Sequence, residues 1–159
     1  MIDAILIGAG ATAFLDLWSA ARTWLFGTPM PDYALVGRWL AHLARGRLFH
    51  DAIAKSARVR GERLIGWTAH YLIGIVFAAA LLVGWGSGWA RAPTLIPALI
   101  VGIGSVAAPF LLMQPCMGAG LAASRTPNPG AARLRSLTTH AIFGFGLYAA
   151  GWAASLIEF

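Results

Sequence analysis

Apolar residues crowd into four stretches of this chain, and each is long enough to cross a bilayer. A spanning helix needs about 20 mostly apolar residues. The stretches run from about Ala4 to Leu25, Leu64 to Val83, Thr94 to Met113 and Leu137 to Leu156. Turn-forming or charged segments separate them: Gly27-Thr28-Pro29-Met30-Pro31, Gly86-Ser87-Gly88 with Arg91-Ala92-Pro93, and Arg125-Thr126-Pro127-Asn128-Pro129-Gly130. Between the first two stretches a different pattern occurs. Leu35, Val36, Trp39, Leu40 and Leu43 recur at helical spacing, with Arg38, His42 and Arg45 off that stripe. This predicts an amphipathic helix, either lying on the inner leaflet with its arginines near anionic headgroups or packed as an ordinary cytoplasmic helix. His50 and Asp51 follow and are expected to face solvent.

Composition agrees with the pattern. Of 159 residues, 58% are hydrophobic and 11% are charged, and the mean hydropathy is +0.70. Soluble domains carry roughly twice that charged fraction. A soluble fold of this size needs a polar shell that these residues cannot supply. The expectation is an all-α membrane protein, one transmembrane domain over residues 1–159.

Charge sets the expected orientation. Eight of the twelve Lys and Arg lie at the inner end of span one or between it and span two: Arg22, Arg38, Arg45, Arg47, Lys55, Arg58, Arg60 and Arg63. Arg125, Arg133 and Arg135 lie between spans three and four, and only Arg91 falls on the other side. The positive-inside rule then puts both basic connections in the cytoplasm and both ends of the chain in the periplasm. The net charge of +6 reads as topogenic, with no nucleic-acid partner. The first span has no basic residues ahead of it, so it reads as a span and not a cleaved signal.

The chain also compares with itself. Arg63-Leu64, Thr68, His70 and Gly74 recur as Arg133-Leu134, Thr138, His140 and Gly144, each 70 positions later. Thr28-Pro29 and Pro31 recur as Thr126-Pro127 and Pro129, and Gly8, Gly10 and Ala13 as Gly102, Gly104 and Ala107. The order is the same in both halves: a small-residue helix, a Thr-Pro-x-Pro turn, then a His-bearing helix. This predicts a tandem parallel repeat of two-helix units, about 4–84 and about 94–157, with an insert at about 32–61 in the first. The same Gly8-Ala9-Gly10-Ala11-Thr12-Ala13 run imitates a dinucleotide fingerprint, but it lacks the strand that motif requires and suits close helix approach instead.

Ionisable residues in a bilayer are costly and face a bundle interior or a cavity. Asp16 lies roughly 13 Å from the inner end of span one, and His70 and His140 lie roughly 9 Å into their helices. Gln114 is the repeat counterpart of Asp16. Asp16, His70, Gln114 and His140 are therefore expected to form a polar cluster in the inner half of the bundle, with Arg22, Thr68, Tyr71, Cys116 and Thr138 in support. Pro109 and Pro115 free backbone carbonyls near it. The structural alternative is that these groups only hold helices together, with Asp16 pairing with Arg22 or with His70. Trp18, Trp24, Trp39, Trp67, Trp85 and Trp89 are expected at the interfaces. Cys116 and the methionines are expected to pack.

The ordered residues Gly8-x-Gly10-Ala11-Thr12 with Asp16, Gly37-Arg38-Trp39-Leu40, Gly66-Trp67-x-Ala69-His70-Tyr71, Met113-Gln114-Pro115, Ser124-Arg125-Thr126-Pro127 and Ser136-Leu137-x-Thr139-His140 carry a resemblance. The chain resembles an uncharacterised family, a domain of unknown function, of small four-span bacterial inner-membrane proteins. The resemblance covers essentially the whole chain. It implies the bacterial inner membrane and about four helices, and it implies no activity.

Three functions stay open. The polar cluster would serve a small transporter or a site for a proton or polar solute, which with only four helices needs a homo-oligomer or larger complex. Alternatively His70 and His140 would hold haem as paired axial ligands. Or the chain is a non-catalytic accessory or lipid-binding subunit. The sequence has no serine–histidine–acid set, paired carboxylates or zinc-protease motif, so an enzyme is the least favoured class.

Overall fold

A computed structural model describes residues 2–156, and among them every regular element is helical. The elements are α1 (Ile2–Phe26), α2 (Tyr33–Leu43), α3 (Glu62–Trp85), α4 (Gly88–Arg91), α5 (Leu95–Gly104), a π-helical turn (Pro109–Met113), α6 (Gln114–Cys116) and α7 (Pro129–Ser155), with short 3-10 turns at Ile53–Lys55 and Leu121–Ala123. Glu158 lies outside the described residues. Local chemistry explains the boundaries. No proline interrupts α1, and its end is turned by Gly27 at φ +64°, a conformation that costs glycine nothing. Asp32 caps α2 by accepting the Ala34 N–H at 3.0 Å. Asn128 accepts the Ala131 N–H at 3.1 Å, and Pro129 opens α7, where its missing N–H is not needed.

Three helices are long and apolar enough to cross a membrane: Ile2–Phe26, Glu62–Trp85 and the interrupted Leu95–Cys116. The fourth expected span differs. α7 has 27 residues, which is ample length, but Thr138, Thr139, His140, Tyr148, Trp152 and several glycines dilute its apolar character. Four spans are therefore not carried by length and composition together. Leu95–Cys116 is also not one regular helix. It turns at Ser105–Val106 and then widens into the π turn, where the Gln114 N–H reaches the Pro109 carbonyl. Pro109 and Pro115 each lack the N–H that a regular α-ladder would use.

The chain divides into two compact units. The first comprises residues 2–31, 71–105 and 138–156. Its core is Ile7, Ala11, Leu15, Ala78, Leu81, Trp89, Ala98, Phe143 and Leu147. Two glycine crossings set its helix spacing. A Cβ on Gly8 would strike the Ile75 Cα and stand 2.8 Å from the Gly74 carbonyl, and one on Gly102 would strike the Gly144 Cα and stand 2.9 Å from the His140 carbonyl. Such contacts let backbones approach closely. Large side chains on the outer faces, such as Leu72, Val76, Val83, Ile96 and Ile100, remain exposed, as they would against acyl chains. Trp89, expected at an interface, is instead buried and donates to the Thr94 carbonyl at 3.3 Å.

The second unit comprises residues 32–70 and 106–137. α2 forms where the spacing predicts it, but its packing differs from the expectation. A Cβ on Gly37 would strike the Glu62 carbonyl, and one on Gly66 the Tyr33 carbonyl, so α2 lies directly against the first turns of α3. Arg38, Trp39 and His42 are all buried. The arginine and histidine expected to face headgroups or water turn inward because acceptors wait for them there. His50, expected in solvent, is also buried, whereas Asp51 is exposed. Trp39, Ile53 and Cys116 form a core with Leu35, Leu40, Leu48, Met113 and Met117 around it, so Cys116 packs as expected and Trp39 is no interfacial residue.

Candidate functional site

The polar residues selected by the sequence divide between the two units. In the first unit Asp16, half-buried on α1, accepts a hydrogen bond from the Tyr71 hydroxyl at 3.1 Å. Tyr71 stands on α3, so this bond ties the first two apolar helices through a carboxylate. His140, on α7, meets Ser105 at the end of α5, with Oγ and Nδ1 2.6 Å apart. The Ser105 hydroxyl gives its one proton to the Gly102 carbonyl at 2.6 Å. Thr12 similarly donates to the Gly8 carbonyl at 2.8 Å. These hydroxyls satisfy themselves on backbone, as hydroxyls in apolar helices do.

In the second unit His70 stacks on Tyr33, with ring centroids 4.0 Å apart and 22° between planes, and Trp67 meets both edge-on. Gln114 heads the short α6, and its Oε1 is buried with no hydrogen-bond partner among the described residues. Asp16 and His140 thus belong to one unit and His70 and Gln114 to the other. The repeat pairs the two histidines, yet one ring is stacked on an aromatic face and the other is hydrogen-bonded to a hydroxyl. Among the supporting residues, Tyr71 joins Asp16, and Cys116 is buried in the second core. Arg22 is half-buried, and Thr68 and Thr138 are exposed on their helices.

The structure adds a polar centre that hydropathy did not single out. The Arg38 guanidinium grips both Glu62 oxygens at 2.8 Å and reaches the carbonyls of Ile53, Ala54 and Ser56 at 3.1 to 3.3 Å. Glu62 also accepts the Val59 N–H at 2.9 Å. The bond to Glu62 pushes the Arg38 pKa up, against an opposing desolvation. A forked guanidinium suits this set because it offers five donors in one plane. Behind it, His42 Nε2 meets the Ala57 carbonyl at 3.0 Å and His50 Nδ1 meets Ser56 Oγ at 3.0 Å, with the two rings edge to face 5.1 Å apart. Burial holds the His50 pKa below its ordinary value, and Arg47 and His42 push it the same way. The only signal in the sequence was that Arg38 and Glu62 flank the two glycines of the crossing, Gly37 and Gly66.

These features define a helical protein with three membrane-length apolar helices, a tyrosine–carboxylate bond joining two of them, and a basic unit locked by an internal ion pair. Across nearly its whole length the chain fits one family: residues 5–154 match the model described as Protein of unknown function (DUF2938), and the chain belongs to that family. No curated protein and no solved structure matches it.

Proposed function

We propose that this chain is a four-span protein of the bacterial inner membrane whose Asp16–Tyr71 pair is a site for a proton or a small polar solute. The observation that carries the reading is the bond from the Tyr71 hydroxyl to the Asp16 carboxylate at 3.1 Å, between two apolar helices. Helix adhesion alone does not need a carboxylate there, since Thr12 and Ser105 show how hydroxyls satisfy themselves in the same unit. A carboxylate is costly in a bilayer, and it offers a polar solute an acceptor that those self-satisfied hydroxyls do not.

Two findings support four spans built as a parallel repeat. Gly8 meets Gly74 and Ile75, and Gly102 meets Gly144; the sequence repeat pairs Gly8 with Gly102 and Gly74 with Gly144. These contacts are what a repeated crossing would expect. α7, at 1.5 Å per residue, is about 40 Å long, enough to span despite its polar residues. Basic connections in the cytoplasm then place both ends outside. Four helices are few for transport by one copy, so the working unit is a homo-oligomer.

The test is proton flux into vesicles reconstituted with the full chain, read from an entrapped pH dye under an imposed membrane potential. Wild-type protein should carry flux above empty vesicles, Asp16→Asn should fall to the empty-vesicle level, and Asp16→Glu should retain part. If Asp16→Asn keeps wild-type flux, or only lowers protein yield, the carboxylate is helix adhesive and the site reading is lost.

A further inference from the structure

The loop that leaves α2 reads Ala44-Arg45-Gly46-Arg47-Leu48-Phe49-His50. Its Phe49 is 68% exposed, and Arg45 and Arg47 beside it are exposed too. This exposure is built, because the backbone on both sides is tied down. The Ala44, Gly46 and Arg47 N–H groups donate to the carbonyls of Leu40, Leu43 and His42 at 2.9 to 3.0 Å, with Gly46 turning the chain at φ +81°. Trp39 Nε1 donates to the Leu48 carbonyl at 3.0 Å, and the His50 N–H donates to the Cys116 carbonyl at 2.8 Å. Phe49 stands between those last two anchors and is held outward.

Its level in the fold is informative. Cys116 is the last residue of the apolar Leu95–Cys116 segment, so Phe49 sits one residue from a backbone bond to the end of a membrane-length helix. With such a helix in a bilayer, its end lies where hydrocarbon gives way to headgroups. Seven further cations of the same unit are exposed, among them Lys55, Arg58 and Arg125, against two exposed acids, Asp32 and Asp51. An apolar ring flanked by arginines on a cationic surface matches the amphipathic boundary of an anionic leaflet. The guanidinium fork matches phosphate.

We propose that the Arg45–Phe49 loop binds anionic phospholipid, with Phe49 inserted at the headgroup–acyl boundary and Arg45 and Arg47 on lipid phosphates. The membrane contact expected of the polar stripe of α2 moves to this loop, because Arg38 and His42 are committed inside the unit. The inference rests on the apolar helices lying in a bilayer and not on the Asp16 site, so either can fail alone. An acidic protein or polynucleotide would answer the charge but not the fixed aromatic beside a helix end.

The test uses the full-length protein in lipid nanodiscs. Phe49→Cys is labelled with an environment-sensitive fluorophore; Cys116 is 2% exposed, and the wild-type chain reports any label it takes. In phosphatidylglycerol discs the emission should shift to the blue and be quenched by lipids carrying a nitroxide high on the acyl chain. Phosphatidylcholine discs should give a smaller shift. Arg45→Gln/Arg47→Gln, at two exposed positions, should abolish the difference between the two lipids while leaving the circular dichroism unchanged. The proposal is overturned if emission at position 49 is water-like in phosphatidylglycerol and quenched by aqueous iodide. It is equally overturned if emission is apolar but no lipid nitroxide quenches it, which would mark a protein contact, or if the double variant keeps the lipid preference.

Discussion

His50 shows how a single residue turns burial into a pH response. Its ring lies inside the second unit, bonded to Ser56 and edge-on to His42, and burial lowers its pKa. In the unfolded chain the ring takes a proton near its ordinary value of about 6.5, and in the fold only at lower pH. Between the two values the unfolded state binds more protons, so stability falls as pH falls from about 7 and levels once the folded ring is also charged. Thermal unfolding of detergent-solubilised protein should show its midpoint falling as the pH is lowered from about 7. His50→Asn should flatten that slope. Identical slopes for the two proteins would assign the acid sensitivity elsewhere. Arg38 is the complementary case, a charge buried because Glu62 and three carbonyls receive it. Neither residue's burial was legible beforehand. Side-chain polarity predicted exposure, and only the partners brought in from residues 53–62 reversed it.

At the scale of elements, hydropathy found the helices and small residues set how they meet. The expected starts and ends of the first two spans agree with α1 and α3 to within a few residues. The third expected span is there too, but its regularity failed at the prolines, where the π turn takes up the missing N–H groups. The glycine crossings give a direct test of the repeat. Gly8→Leu and Gly102→Leu each drive a side chain into a facing backbone, and each should cost about 1–3 kcal/mol or more, as overpacking does. The repeat reading expects the two losses in thermal stability to be similar. Gly104→Ala, with open space around the added methyl, is the control and should be tolerated. A large loss at Gly8 with none at Gly102 would show that the halves are not built alike.

For the whole molecule, charge distribution and fold division coincide. Ten of the twelve Lys and Arg fall in residues 32–70 and 106–137, which form the second unit. That concentration supports a cytoplasmic placement of both basic connections. Alkaline phosphatase, which is active only outside the cytoplasm, should therefore be active when fused after Ser155 and inactive when fused within residues 57–60. An inactive Ser155 fusion would mean that α7 does not cross, leaving three spans and the two ends on opposite sides.

The sequence by itself determined that the chain carries helices apolar and long enough to cross a membrane, and where they lie, because both depend on the local density and period of apolar side chains. It also selected Asp16, because a carboxylate inside an apolar helix is conspicuous before any fold is known, and named Tyr71 only among the supporting residues. Tertiary structure decided the partners. That Asp16 meets Tyr71 and His140 meets Ser105, that Arg38 closes on Glu62, and that Phe49 instead of the α2 stripe faces outward, all depend on residues distant in the chain. Hydropathy is a property of one segment, whereas a hydrogen bond or a buried ion pair is a property of two segments brought together, and only the fold brings them together.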